Sequence, residues 1–162
     1  MLYQSSQPHP TVLGKIPCHE AFGDIKERLN FSQIQSLLIL RVDAPLFLVN
    51  ASTLHSQIRK LVTSAQLSII PVIIDLSVSD DLDIEVIDML EDLLNELGEN
   101  GIHLLFTDIK NTTRTRLEQT GLMDQIGEEN IYLRVLEVVD DLSGTNNLSE
   151  SETRNYTGSR VS

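Results

Sequence analysis

The stretch Ser68–Leu97 constrains the fold of this chain more than any other segment. Its first ten residues, SIIPVIIDLS, are rich in β-branched side chains, which is typical of a strand that is buried on both faces. Its last part carries apolar residues at helical spacing, namely Val86, Ile87, Leu90, Leu93, Leu94 and Leu97. An acidic loop lies between the two. The stretch therefore predicts a strand–loop–helix unit, and functional residues of open α/β sheets often lie in such loops.

Apolar runs and helical spacing also alternate along the rest of the chain. The runs predict a short edge strand and four further strands, at Thr11–Pro17, Ser36–Asp43, Leu46–Asn50, Ile102–Thr107 and Ile131–Val135. The helical patterns lie at Asp24–Asn30, after Asn50 as far as Ala65, at Asp108–Thr120 and at Leu136–Leu142. Ala44 and Pro45 predict a turn that joins two strands into a hairpin. The segment Gly98–Gly101 and Gly121 are predicted to end helices, with Gly98 as the candidate left-handed cap. The pattern predicts an α/β fold, a mixed β-sheet with helices packed mainly on one face.

The length of 162 residues fits one domain with tails. We place the domain at residues 11–142. Residues 1–10 contain two prolines and no periodicity, which predicts an extended linker. Residues 143–162 are rich in Ser, Thr, Asn and Gly and predict a disordered polar tail.

The charge of the chain limits its partners. Twelve basic residues against twenty-four acidic ones give a formal net charge of −12. This balance argues against nucleic acid and against anionic lipid, because both are bound largely through Lys and Arg. A single cysteine, Cys18, excludes an internal disulfide. The sequence shows no apolar run near the length of a membrane-spanning helix and no signal peptide, so a soluble cytoplasmic domain is expected.

The acidic residues are concentrated between Ser77 and Asn100, where no Lys or Arg occurs. The candidate regulatory loop comprises Ser77, Ser79, Asp80, Asp81, Asp83 and Glu85. The candidate docking face comprises the outer helix positions Asp88, Glu91, Asp92 and Glu96. The run is interpreted either as a docking surface for a basic partner or as an ordinary solvated helix face. A weak divalent-metal site at the loop aspartates is disfavoured, because the glycine and the ligand spacing of an EF-hand loop are missing.

Motifs for catalysis and cofactor binding are missing from the sequence. It contains no His-x-x-x-His, Cys-x-x-Cys, Gly-x-Ser-x-Gly, Walker A or Gly-x-Gly-x-x-Gly pattern. Cys18 precedes His19, but neighbours in a chain seldom face each other, so we interpret this cysteine as incidental. The sequence therefore predicts no enzyme, no cofactor and no metal site.

Three segments resemble the sulfate permease (SulP) family of anion transporters. Residues 10–17, PTVLGKIP, are similar to the Val-Leu-Gly-Arg-x-Pro segment that follows the last membrane helix of that family. Residues 40–51, LRVDAPLFLVNA, resemble its Tyr-Arg-x-Asp-Ala-Pro-Leu-Phe-Phe-Ala-Asn-Ala signature. Residues 75–83, DLSVSDDLD, resemble its Asp-x-Ser-x-Val-x-x-Ile-Asp loop. The resemblance covers about residues 8–142 and implies a C-terminal cytoplasmic STAS domain, the module shared with anti-sigma-factor antagonists. It implies a mixed sheet with helices on one side.

The chain departs from the family pattern at three positions. In regulated STAS domains a hydroxyl residue two positions after the loop aspartate is phosphorylated, and here Glu85 occupies that position. A glutamate cannot be phosphorylated, so a phosphorylation switch is not expected at this residue. Cys18 and Ser36 replace residues that are usually glycine in the family, which affects local turns.

The resemblance implies two functions. The first is the cytoplasmic domain of a transporter for sulfate, bicarbonate or a related anion, with the transmembrane part of the same transporter and a second copy of the domain as partners. Such a domain supports dimerisation, folding or trafficking, and its loop regulates transport or binds a cytoplasmic protein. The alternative is a free-standing STAS protein of the anti-sigma-factor-antagonist type, which acts by docking to another protein.

Overall fold

The structure, a computed structural model, describes residues 9–27, 34, 37–43, 50–65 and 71–154. The described residues form one mixed sheet with the strand order β2-β1-β3-β4-β5-β6. The strands are β1 Pro10–Lys15, β2 Phe22–Asp24, β3 Leu38–Val42, β4 Val72–Asp75, β5 Leu104–Thr107 and β6 Ile131–Tyr132. The helices are α1 Ala51–Ser64, α2 Ile84–Glu99, α3 Asn111–Thr120, α4 Leu122–Ile126 and α5 Val135–Arg154. Strands β3 to β6 run parallel, and β1 is antiparallel to both β2 and β3.

The two faces of the sheet carry separate cores because side chains alternate along each strand. One face holds alternate residues of β3, β4 and β5, among them Leu40, Ile74 and Phe106, and helices α1 to α4 pack on it. The other face holds Ile39, Ile73 and Leu105 with their neighbours, covered by the first turns of α5. The predicted α/β fold, with helices mainly on one face, is confirmed: four described helices lie on one side and one on the other.

Helix α2 ends at Glu99, within the segment Gly98–Gly101 that is predicted to end it, but its left-handed residue is not the predicted one. Gly98 lies inside the helix, and the left-handed residue is Gly101, with φ 72°. The Ile102 N–H donates to the Leu97 carbonyl at 2.9 Å and the Gly101 N–H to the Gly98 carbonyl at 3.0 Å, which is a Schellman motif. Gly98 has helical backbone, so the prediction that it is the left-handed cap is wrong.

Two short elements differ from their predictions, and a third, helix α4, was not predicted. Strand β1 is predicted at the edge, but it lies between β2 and β3. The helical turns predicted from Asp24 are not found in the described part of that range, because Asp24 ends β2 and Ile25–Glu27 form a turn. Helix α4 directly follows Gly121, which ends α3 with φ 78° as predicted.

The chain termini and the predicted hairpin are described only in part. Helix α5 runs to Arg154, past residue 142, where the domain is predicted to end. The predicted linker at 1–8, the turn and strand at 44–49, Ser36 and the tail beyond Arg154 lie outside the described residues. None of the helices in the described ranges combines the length and apolarity that crossing a lipid bilayer requires.

Candidate functional site

The acidic loop begins where β4 ends at the carboxyl edge of the parallel strands. The Leu76 N–H donates to the Thr107 carbonyl of the neighbouring strand at 3.0 Å, which continues the sheet by one bond. The Ser77 N–H donates to Asp75 Oδ1 at 2.8 Å, and the Ser79 N–H donates to the Leu76 carbonyl at 3.0 Å. The loop therefore starts as a tight, internally bonded turn.

The middle of the loop is held by helix α3. Lys110 forms an ion pair with the Asp80 carboxylate, and the Thr112 hydroxyl donates to the Asp80 carbonyl. Arg116 Nη2 lies 3.1 Å from Asp81 Oδ2. These contacts neutralise two of the three loop aspartates within the chain.

Buried side chains fix the same part of the loop from below. Leu82 is 1% exposed and lies in the main core. Ser79 is also buried, and its carbonyl is 3.5 Å from the buried Thr113 hydroxyl of α3. Among the described residues, no group of three or more His, Cys, Asp or Glu side chains is placed to hold a metal ion. The contacts indicate a loop that is held in one conformation by α3 and by the core.

Arg116 determines the ionisation of Asp81. Its hydrogen bond to the carboxylate lowers the pKa of Asp81 below the ordinary value of 3.8, and the Leu82 N–H, which also bonds the carboxylate, adds to the shift. Because the pKa of Asp81 is lower in the folded state, the ionised carboxylate stabilises the fold at pH values above its ordinary pKa. This stabilisation is lost as the pH falls through the pKa of the folded state.

Replacing Arg116 with glutamine is expected to raise the pKa of Asp81 while leaving it below its ordinary value, because the Leu82 N–H bond remains. The pKa can be measured by following the side-chain carboxyl carbon by NMR during an acid titration. Arg114→Gln, which breaks the pair of Arg114 with Glu128, is the matched control and should not move the Asp81 pKa. An unchanged pKa in Arg116→Gln would refute the contact.

The start of helix α2 remains open to solvent. Asp83 is its N-cap without a side-chain cap bond, and Glu85 is an exposed acid in its first turn. Val78 is 37% exposed and Ile84 is 57% exposed. We call Val78, Asp83, Ile84 and Glu85 the loop patch. Two carboxylates beside two exposed apolar side chains suit a partner that is both basic and apolar.

The candidate docking face on α2 is divided among different contacts. Gln125 of α4 donates to Glu91 at 2.6 Å. Glu96 Oε1 forms an ion pair with Arg59 of α1 at 2.6 Å. His55 Nε2 lies 3.1 Å from the other carboxylate oxygen of Glu96, Oε2, but does not form a hydrogen bond. Asp88 and Asp92 are exposed, and with Glu85 they line a shallow groove of about 330 Å³ beside the start of α1. Since Glu91 and Glu96 join helices, the four acids do not form one free face.

Neutralising Glu96 is expected to cost a small amount of stability, whereas neutralising Asp92 should cost nothing measurable. Glu96→Gln removes an ion pair between α1 and α2 that is partly exposed, so we expect a loss of at most about 1 kcal/mol. Urea unfolding of both variants measures the difference. Equal midpoints would contradict a structural role for Glu96.

Sequence reasoning missed the residues that hold the loop, which are Lys110, the N-cap of α3, and Thr112, Thr113 and Arg116 within that helix. A signal was present, since the loop and α3 follow the neighbouring strands β4 and β5. Parallel neighbours bring their following segments together at one edge of the sheet. Ion pairs between the acidic loop and the basic residues of the second segment could therefore have been predicted.

A family model described as the STAS domain matches residues 28–138. The chain belongs to the STAS domain family. The STAS domain is 29% identical over 151 residues to sulfate transporter 1.3 of Arabidopsis thaliana, a match that covers 88% of this chain and 23% of that transporter. The chain thus spans about a quarter of the length of the curated relatives it matches, and the resemblance inferred from the sequence is confirmed.

Solved structures show the same fold. The murine Solute Carrier 26 family member A9 anion transporter, in its inward-facing state, aligns with a TM-score of 0.73 and 14% identity, over 85% of this chain and 22% of that one. A Thermotoga maritima protein assigned as an anti-sigma factor antagonist aligns with a TM-score of 0.56 and 17% identity, over 68% of this chain and 90% of that one. The STAS fold therefore occurs both within a transporter and as a nearly complete protein.

The backbone at Cys18 has the conformation that a glycine favours. Cys18, which stands where the family usually has glycine, has φ 62°. This left-handed conformation favours glycine, because a Cβ atom strains it. The departure inferred from the sequence therefore has a local conformational consequence.

Proposed function

We propose that this STAS domain is the cytoplasmic domain of a SulP-type anion transporter and that it acts by binding protein, without catalysis. The observation that carries the proposal is that curated sulfate transporters match most of this chain with about a quarter of their own length. We further propose that the domain lies at the cytoplasmic face of the membrane. Sulfate is the anion that the relatives' names favour, with bicarbonate and related anions as alternatives.

We propose that the loop patch contacts the transmembrane part of the transporter or another cytoplasmic protein. Two features support this: the patch is exposed, and the loop behind it is fixed by α3, so little conformational entropy is lost when a partner binds. The family resemblance implies that Glu85 stands where regulated STAS domains are phosphorylated, and a glutamate cannot be phosphorylated. We therefore propose that binding here does not depend on phosphorylation.

We propose that the domain supports dimerisation, folding and trafficking of the transporter. Light scattering across a concentration series tests dimerisation of the isolated domain directly. A stable dimer supports a role in holding two transporters together. A monomer at the highest concentration assigns any dimer contact to the transmembrane part.

A domain exchange tests the transporter proposal. The matching part of sulfate transporter 1.3 of Arabidopsis thaliana is replaced by this chain, and sulfate uptake is measured in yeast that lacks its own sulfate uptake. A second chimera carries a STAS domain from an anti-sigma factor antagonist. We expect surface delivery and uptake for the first chimera and their loss for the second. Equal failure of both, with both chimeras folded and expressed, would contradict the proposal.

The alternative function is a free-standing anti-sigma-factor-antagonist type of protein. It is favoured by the alignment with 90% of the Thermotoga maritima protein. Immunoblotting of membrane and soluble fractions from cells that express the gene separates the two. A membrane-bound product several times the length of this chain supports the transporter, and a soluble product of this length supports the alternative.

A further inference from the structure

The register of the sheet places the start of β1 at the edge where the parallel strands end. Thr11 of β1 pairs with Arg41 of β3, and the same row continues through Asp75 of β4, Thr107 of β5 and Tyr132 of β6. Because β1 is antiparallel to β3, the chain enters the sheet at the edge where strands β3 to β6 leave it. The segment before β1 therefore meets the domain at its carboxyl edge, the edge that also carries the acidic loop.

The residue before β1 is held against the domain on the side of the loop patch. His9 Nδ1 lies 2.6 Å from Gln57 Nε2 of α1. Helix α1 packs on the face of the sheet that also carries α2. Only β3 separates β1 from β4, and neighbouring strands lie about 4.8 Å apart, so about 10 Å separates the entry of the chain from the loop after β4.

Exposed apolar side chains are concentrated at this edge. In the part of the chain that the structure describes, four large apolar side chains are exposed, and the fourth, Leu142, lies in α5. The other three follow strands at the carboxyl edge: Val78 and Ile84 after β4, and Leu133, which is 78% exposed, directly after β6. Apolar side chains that gather on one surface mark a site of interaction with protein or membrane.

The charges at this edge leave it acidic. Asp83 and Glu85 form no ion pair with any described residue, whereas Lys110 is neutralised by an aspartate of the loop. Arg134 also has no ion pair in the described ranges, but it already has an acidic neighbour. Burial raises the pKa of Asp108, and Arg134 is close enough to that carboxyl to oppose the shift.

The cytoplasmic loops of membrane proteins have the complementary chemistry. Lys and Arg are enriched in these loops close to the ends of the membrane-spanning segments. A surface that carries both carboxylates and apolar side chains matches such loops in charge. A lipid surface fits less well, because the inner leaflet is itself negative and repels exposed carboxylates.

We propose that the carboxyl edge of the sheet docks on Lys- and Arg-rich cytoplasmic loops of the transporter's transmembrane part. Asp83 and Glu85 contact the basic groups, and Ile84 and Leu133 contact apolar ones. This inference rests on the proposed function and deepens it, because it selects one partner for the loop patch and adds Leu133 to the surface. The entry of the chain supports it, since the segment before β1 would join the domain to the transmembrane part on this side.

Photo-crosslinking of the gene product in its membrane tests the inference. Benzoylphenylalanine replaces Ile84 or Leu133, one position at a time. His103 is the matched control position, because it is exposed and precedes β5 at the opposite edge of the sheet. A protease site inserted within residues 1–8 separates the domain from the transmembrane part after irradiation. We expect the domain to stay attached to the transmembrane fragment from Ile84 and Leu133 and to be released from His103.

The other outcomes of this experiment separate the inference from the proposed function. Release of the domain from all three positions, or equal attachment from His103, overturns the inference for a product that is membrane-bound. Crosslinks to a separate cytoplasmic protein, or between two copies of the domain, also overturn it. A soluble product of the length of this chain refutes the proposed function, and the inference with it.

Asp83→Asn combined with Glu85→Gln tests the charge of the edge. Asparagine caps helices as well as aspartate does, and Asp83 makes no side-chain cap bond here, so the variant is expected to fold. We expect the crosslinking yield from Ile84 to fall about fivefold, the effect of losing two exposed ion pairs. Asp88→Asn combined with Asp92→Asn, two exposed acids further along α2, is the matched control and should keep the yield. An unchanged yield, or an equal fall in both double variants, overturns the assignment to basic loops.

Flotation of the chain with lipid vesicles tests the other occupant of an apolar edge at a membrane. The vesicles consist of phosphatidylcholine alone or of phosphatidylcholine mixed with phosphatidylglycerol. We expect the chain to stay at the bottom of the gradient with both. Flotation that is lost in Leu133→Asp would assign the edge to lipid and overturn the inference.

Discussion

Replacing Phe106 with alanine is expected to lower the free energy of unfolding by about 3–5 kcal/mol. Phe106 is fully buried in β5 and faces the core that helices α1 to α4 cover. The substitution removes a large apolar side chain and leaves a cavity, because strands on both sides prevent the sheet from collapsing into the space. A loss of this size is a large fraction of the stability of an ordinary domain.

Urea unfolding followed by circular dichroism measures this loss. Leu133→Ala is the matched control, because Leu133 is apolar and 78% exposed. We expect the control to unfold at the same urea concentration as the unchanged protein. A loss below 1 kcal/mol in Phe106→Ala would mean that β5 does not lie in the centre of the sheet.

Replacing Leu82 with alanine is expected to cost about 2–5 kcal/mol, although Leu82 lies in an acidic surface loop. Its side chain is 1% exposed and contacts the main core. We expect the amides between Ser79 and Asp83 to exchange with solvent faster in the variant, because the buried leucine and the contacts to α3 together hold this segment. Unfolding curves and hydrogen exchange by mass spectrometry measure the two effects.

Ile84→Ala provides the comparison, since Ile84 lies two residues away and is 57% exposed. Its stability should stay within about 0.5 kcal/mol of the unchanged protein. The same variant removes an apolar contact from the loop patch, so it should weaken a partner that binds there. Equal destabilisation by both substitutions would show that Leu82 does not anchor the loop.

The parts of the fold that bury continuous apolar runs could be predicted from the sequence. Strands β3, β4 and β5 and helix α2 lie within or close to their predicted ranges, because burial on both faces or on one stripe leaves a clear pattern. Strand β2 and helix α4 have three and five residues, which is too short for either period to show. The order of strands in the sheet placed β1 in the interior, and no local pattern encodes that order.

The candidate site was predicted as a location more than as a set of contacts. The loop after β4 follows from the strand–loop–helix pattern, and its acidic residues are visible in the sequence. The partners of those acids depend on how β5 aligns with β4, so Lys110 and Arg116 could not be assigned to Asp80 and Asp81 from one segment alone. The proposed regulatory role of Glu85 rests on the family resemblance and is still a prediction.

The edges of the described sheet limit how this domain can assemble. Strand β2 has three residues at one edge and β6 has two at the other. Such short edge strands offer few free backbone N–H and C=O groups to an incoming strand. Short edge strands are one way in which natural proteins avoid aggregation through edge-to-edge strand pairing. We therefore expect copies of the domain to recognise each other and their partners through side chains on helices and loops, which can be altered one residue at a time without disturbing the sheet.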